Sequence, residues 1–86
     1  MTITDLLIDD DNWEKITAHG IQIGQLIQIL AGQHVIVRNR RAAYLLIGLD
    51  DGGACIAAPF ERTAEPGVVR PVTAWYCKPS EWARLR

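Results

Sequence analysis

With 86 residues the chain has the length of one domain, and a domain this small buries a modest share of its surface and keeps thin stability margins. Its hydrophobic content of 49% is enough for a core without metal or disulfide staples, and two cysteines are too few for a disulfide framework. The net charge is −1, the first residues are acidic rather than signal-like, and no run approaches the roughly 20 apolar residues that span a bilayer. A soluble, reduced, cytoplasmic protein with no membrane partner is the resulting expectation.

Residues 3–8 are short and apolar and predict a strand at a sheet edge. Asp9, Asp10 and Asp11 can cap a helix that runs to about Ala18, because aspartates accept from orphan N–H groups and favour the positive end of the helix dipole. Trp13, Ile16 and Thr17 fall at helical spacing and predict its packed face. Gly20 is a natural stop. Residues 21–31 predict a second helix, with Ile23, Leu26, Ile27 and Leu30 on one side and Gln22, Gln25 and Gln28 on the other. A strand reading competes through local alternation, but the helical match is longer.

Residues 34–38 are β-branched at the centre and predict a strand, with Asn39, Arg40 and Arg41 as the following turn. The chain is organised around residues 43–60, where two apolar runs flank Asp50, Asp51, Gly52 and Gly53. That pattern predicts a hairpin. Both runs are apolar at nearly every position, so cover on both faces is expected. Pro66 and Gly67 suit a type II turn. Residues 68–75 predict a last strand, and Pro71 within it implies an edge or a bulge. Strand parity sets Arg70 beside Val72 and Ala74 unless Pro71 introduces that bulge. Pro79, Ser80 and Glu81 open a short closing helix. The whole is an α+β fold: a four- to five-stranded, mostly antiparallel, curved sheet packed by two N-terminal helices and a short C-terminal helix.

Charge is uneven. Residues 1–20 hold five acids against Lys15, whereas Arg38, Arg40 and Arg41 have no acid near them, and the tail from residue 68 is basic apart from Glu81. The plain reading is solvated surface; the functional one is a footprint for an anion or nucleic acid. His19 and His34 stand apart from any cysteine at ligand spacing and read as structural or surface histidines. Cys55 and Cys77 have no base beside them and read as buried thiols. There is no P-loop, dinucleotide fingerprint or metal motif, so no cofactor and no metal are expected. Trp75, Tyr76 and Trp82 read as core or rim, with nucleobase stacking as the alternative. Arg70, Lys78 and Glu81 are the residual polar signal: a cation can hold a scissile phosphate and a carboxylate or lysine can move a proton.

Two stretches together resemble the BrnT family, the RNA-cleaving toxins of bacterial type II toxin–antitoxin modules. The first is Asn12-Trp13-Glu14-Lys15 through His19-Gly20-Ile21 and the helix after it. The second starts at Arg41 before Tyr44 and continues through the glycine-bearing hairpin, Val69-Arg70-Pro71-Val72-Thr73-Ala74 and Glu81. The resemblance implies a RelE-like fold, ribosome-independent RNA cleavage, a small co-encoded antitoxin partner and transcriptional autoregulation by the complex, with a homodimer as the fallback assembly. Carried over position by position, it matches Arg70 and Glu81, with Lys78 in the same neighbourhood but not a firm match; the RNase reading built on it and on the segregated bases gives proton transfer to Glu81 or His19. Arg38, Arg40 and Arg41 would contact RNA phosphates. Where the family pattern has a second arginine, this chain has Trp75. That departure motivates a second reading: a toxin-like protein-binding module without nuclease activity. The nuclease reading requires Arg38, Arg40, Arg41, Arg70 and Lys78 to converge on one concave surface.

Overall fold

Asp9 begins helix α1 (Asp10–Ala18) as its N-cap. Its carboxylate accepts the Asn12 N–H at 2.9 Å, and the Asn12 side-chain oxygen accepts the Asp9 N–H at 2.8 Å. The computed structural model describes residues 1–38 and 44–86; the turn expected at Asn39, Arg40 and Arg41 lies outside them. The packed face of α1 is rotated from the expected one: Asn12 and Ile16 are buried, and Trp13 is 52% exposed. The reason is polar. The Asn12 side-chain amide donates to the carbonyls of Leu7 and Pro71, both at 2.9 Å, and so turns its own side inward.

Helix α2 (Ile23–Ala31) buries Leu26 and Ile29, with Ile23 and Leu30 packed beside them, whereas Ile27 is exposed. The glutamines are not idle on the outer side. The Gln25 amide donates to Asp50 at 3.0 Å and the Gln28 side-chain oxygen accepts the Asp51 N–H at 3.1 Å, so α2 grips the hairpin turn.

The strands are β1 (Asp5–Leu6), β2 (His34–Arg38), β3 (Tyr44–Leu49), β4 (Cys55–Arg62), β5 (Val68–Pro71) and β6 (Trp75–Tyr76). They form one six-stranded sheet in the order β1-β5-β4-β3-β2, with β6 also pairing β4. The expected four to five strands become six, and the sheet is mixed because β1 lies parallel to β5. The central hairpin pairs Tyr44 with Phe60 through Leu49 with Cys55. Gly48 in β3 leaves room for both α2 and β2: a Cβ there would stand 2.8 Å from Cβ of Ile29 and 2.9 Å from Cβ of His34. The loop after β4 closes as predicted, with Gly67 at φ +83° and the Val68 N–H donating to the Glu65 carbonyl at 3.2 Å.

The single strand expected over residues 68–75 is two strands separated by a bulge. Phe60 faces Pro71 and Ala57 faces Trp75, so three steps on β4 are matched by four on the partner. β5 is not an edge either, since β1 covers it, with the Thr4 and Leu7 N–H groups donating to Gly67 and Val69. Pro71 fits there because Val72 donates to the Pro59 carbonyl at 2.8 Å, which turns the Pro71 nitrogen away from β4, beyond the end of β1. The extra residue inverts parity. Val69 before it and Ala74 after it share one core, while Trp75 joins the other.

Both sheet faces are covered, as the apolar hairpin requires. One face holds Leu46, Ile56, Ala58 and Phe60 against Ile16, Ile21, Leu26 and Ile29 of the helical layer. The other holds Ile47, Cys55 and Ala57 beneath Trp75, Cys77 and Leu85. This second cover is the C-terminal segment, helix α3 (Pro79–Trp82) followed by a 3-10 turn at Ala83–Leu85. Cys55 and Cys77 are not separate thiols but a disulfide, with Cα atoms 5.2 Å apart. β6 brings them opposite one another, and the Cys77 N–H donates to the Cys55 carbonyl at 2.9 Å.

Candidate functional site

Arg70 alternates with Val69 and Pro71, whose side chains enter the core, so its own side chain leaves on the outer side of β5. There it meets acids. Its Nε donates to Asp9 Oδ2 at 2.8 Å, Nη2 to Asp9 Oδ1 at 3.3 Å and Nη1 to Glu61 Oε1 at 3.3 Å, with Asp11 at 3.6 Å. The bidentate contact to Asp9 is of the strong, charge-assisted kind. The Arg70 bond and the Asn12 N–H hold the Asp9 carboxyl below the ordinary carboxylate range, and the bond to Asp9 raises the Arg70 guanidinium above its usual value.

Glu81 and Lys78 belong to a second neighbourhood. The Glu81 carboxylate accepts the Trp75 indole N–H at 3.0 and 3.1 Å and the Lys78 N–H at 2.8 Å, pinning the start of α3 to β6. The Lys78 ammonium lies 5.9 Å from the centre of the Trp75 ring. Trp75 is half-buried, while Tyr76 and Trp82 are exposed, at 49% and 41%. His19 is exposed at the far end of α1. The helix axis between Asp9 and His19 is about 15 Å long, and no hydrogen bond or ion pair among the described residues joins His19 to Arg70, Lys78 or Glu81.

Arg38 stands in a third neighbourhood. Its guanidinium carbon is 5.8 Å from the centre of the Tyr44 ring, and that of Arg62 is 5.5 Å from the same ring. Tyr44 itself stacks on Phe60 with ring centres 5.5 Å apart. Arg40 and Arg41 lie outside the described residues. Thus Arg38, Arg70 and Lys78 engage different partners among the described residues.

On the face away from α1 and α2, a groove of about 390 Å³ crosses from β2 to β6. Val37, Leu45, Ile47 and Trp75 line it, and Arg38, Ser80, Glu81 and Arg84 complete its walls. Arg62 and Arg84 were not singled out from the sequence. Arg62 becomes visible only through strand register, which carries it to Tyr44; Arg84 only through the fold-back of the C-terminal turn. Among the described residues, no cluster of three or more His, Cys, Asp or Glu side chains is positioned to hold a metal ion. No helix of the described residues is long and apolar enough to cross a membrane.

Comparison with protein families, curated proteins and solved structures found no match.

Proposed function

We propose that the chain is a toxin-like binding module of RelE-like architecture that holds a small co-encoded partner chain and leaves RNA intact. The observation that carries this reading is the engagement of Arg70 by Asp9, Glu61 and Asp11. A phosphate approaching Arg70 would have to displace a bidentate carboxylate and enter a field dominated by negative charge. The proton-transfer candidates do not compensate. Glu81 is tied to Trp75 and the Lys78 N–H, and His19 lies at the opposite end of α1. The described residues thus give Arg70 no free phosphate-binding role, and the proton-transfer candidates lie apart from it.

Co-expression with the product of the adjacent small reading frame tests the module directly. A stable complex that survives gel filtration is the expected result. Two chains that elute separately at every salt concentration would refute it.

The RNase toxin remains as a second reading on one observation: the Arg38 and Arg62 guanidinium groups flank Tyr44 without a carboxylate partner among the described residues. Such a cation–aromatic group suits a phosphate beside a stacked base. RNA binding lost on Tyr44→Ala and Arg62→Ala, with cleavage of the bound strand, would favour that reading.

A further inference from the structure

We infer that the outer edge of β2, together with the groove beside it, takes an extended acidic peptide segment as an added strand; the inference rests on the binding-module reading and names its partner's chemistry. β2 ends the strand order, and no strand of the described residues pairs with its outer side. The Leu49 N–H donates to the Gln33 carbonyl at 3.1 Å, which fixes the phase of the β2–β3 ladder. Alternate residues in such a ladder turn their main chain to opposite sides. Val35 and Val37 therefore bond inward to β3, and His34, Ile36 and Arg38 turn their N–H and C=O groups outward. Three consecutive outward pairs are a template for a further strand.

The groove supplies the side-chain recognition. An added strand directs every second side chain onto the face where Val37, Leu45 and Trp75 are only half-buried. One apolar anchor can enter there. The rim sets the charge. Arg84 at the groove has no carboxylate partner among the described residues, Lys78 lies over the Trp75 ring, and Arg38, whose guanidinium sits over Tyr44, adds a cation at the end of the edge strand. The one acid at the groove, Glu81, already accepts the indole and the Lys78 N–H. An extended segment with an apolar residue flanked by Asp or Glu complements this surface; a basic segment does not.

The test is selection from a random peptide display library on the immobilised full chain, followed by hydrogen exchange with the winning peptide. The expected winners carry Asp or Glu beside an aliphatic or aromatic residue, and they slow exchange at the His34, Ile36 and Arg38 amides. Arg84→Glu weakens the winner by about tenfold and Arg84→Lys restores it. Winners without acidic enrichment overturn the inference, as does protection confined to the α1–α2 side around Trp13. An RNA oligonucleotide that protects these amides when no peptide does also overturns it. The two readings fail separately. A co-encoded partner that binds while these amides exchange freely defeats the edge assignment alone. Peptides that bind here when no partner protein does defeat the module alone.

Discussion

Every polar atom of the Asn12 side chain is bonded to main chain: its oxygen accepts from Asp9, and its amide donates to Leu7 and Pro71. The residue is fully buried, so these bonds replace water completely. It joins the end of β1, the start of α1 and the end of β5 at one point. Asn12→Ala removes the partner of the buried Pro71 carbonyl and of the part-buried Leu7 carbonyl and Asp9 N–H, and is expected to destabilise the fold by about 3 kcal/mol, read as a lower urea midpoint with an unchanged slope. Asp9 acts beside it at the surface. Its carboxyl titrates below the ordinary range because Arg70 and the Asn12 N–H bond its charged form. A depressed folded value means that this stabilisation is present above the unfolded carboxylate pKa, near pH 4, and is lost as pH falls through the folded value. Stability should therefore drop on acidification below about pH 4, and Asp9→Asn should flatten that limb of the pH profile; an unchanged limb would remove Asp9 as its source.

At the scale of elements, the bulge between β5 and β6 decides the most. It turns Arg70 away from the Ala74 core, aims Trp75 at the second face, and sets Cys77 opposite Cys55. The disulfide then ties the C-terminal cover to β4 across a separation of 22 residues. Removing it with Cys55→Ser and Cys77→Ser should cost about 3 kcal/mol through the freed unfolded chain. The same change should loosen α3 on Trp75, visible as a red-shifted tryptophan emission in the native state. A double variant with the same melting temperature as the parent under oxidising conditions would contradict this. The elements themselves were largely legible. Asp9 as cap, the stop at Gly20, the hairpin about Asp50 and the turn at Gly67 all depend on neighbours in sequence. The rotated face of α1, the bulge, the disulfide and the partners of Arg70 were not, because each depends on a register or a polar contact between distant segments. Pro71 signalled the bulge as one of two options, and only pairing with β4 chooses between them.

Across the whole molecule, charge is sorted in a way that neither composition nor net charge conveys. Acids of the N-terminal segment gather at the start of α1 and absorb Arg70, while Arg84 lines the groove on the other face, Lys78 lies over Trp75 and Arg38 lies over Tyr44. The candidate catalytic residues are thereby divided, with Arg70 among acids, Lys78 and Glu81 beside Trp75 and His19 at the far end of α1, and among the described residues no strand pairs with the outer side of β2. The most direct measurement is an RNA-cleavage assay on the purified chain, freed of any partner, beside Arg70→Ala. Full-length RNA after incubation with either protein is the predicted result. Cleavage by the parent chain that disappears in Arg70→Ala, with the variant still folded, would contradict the account.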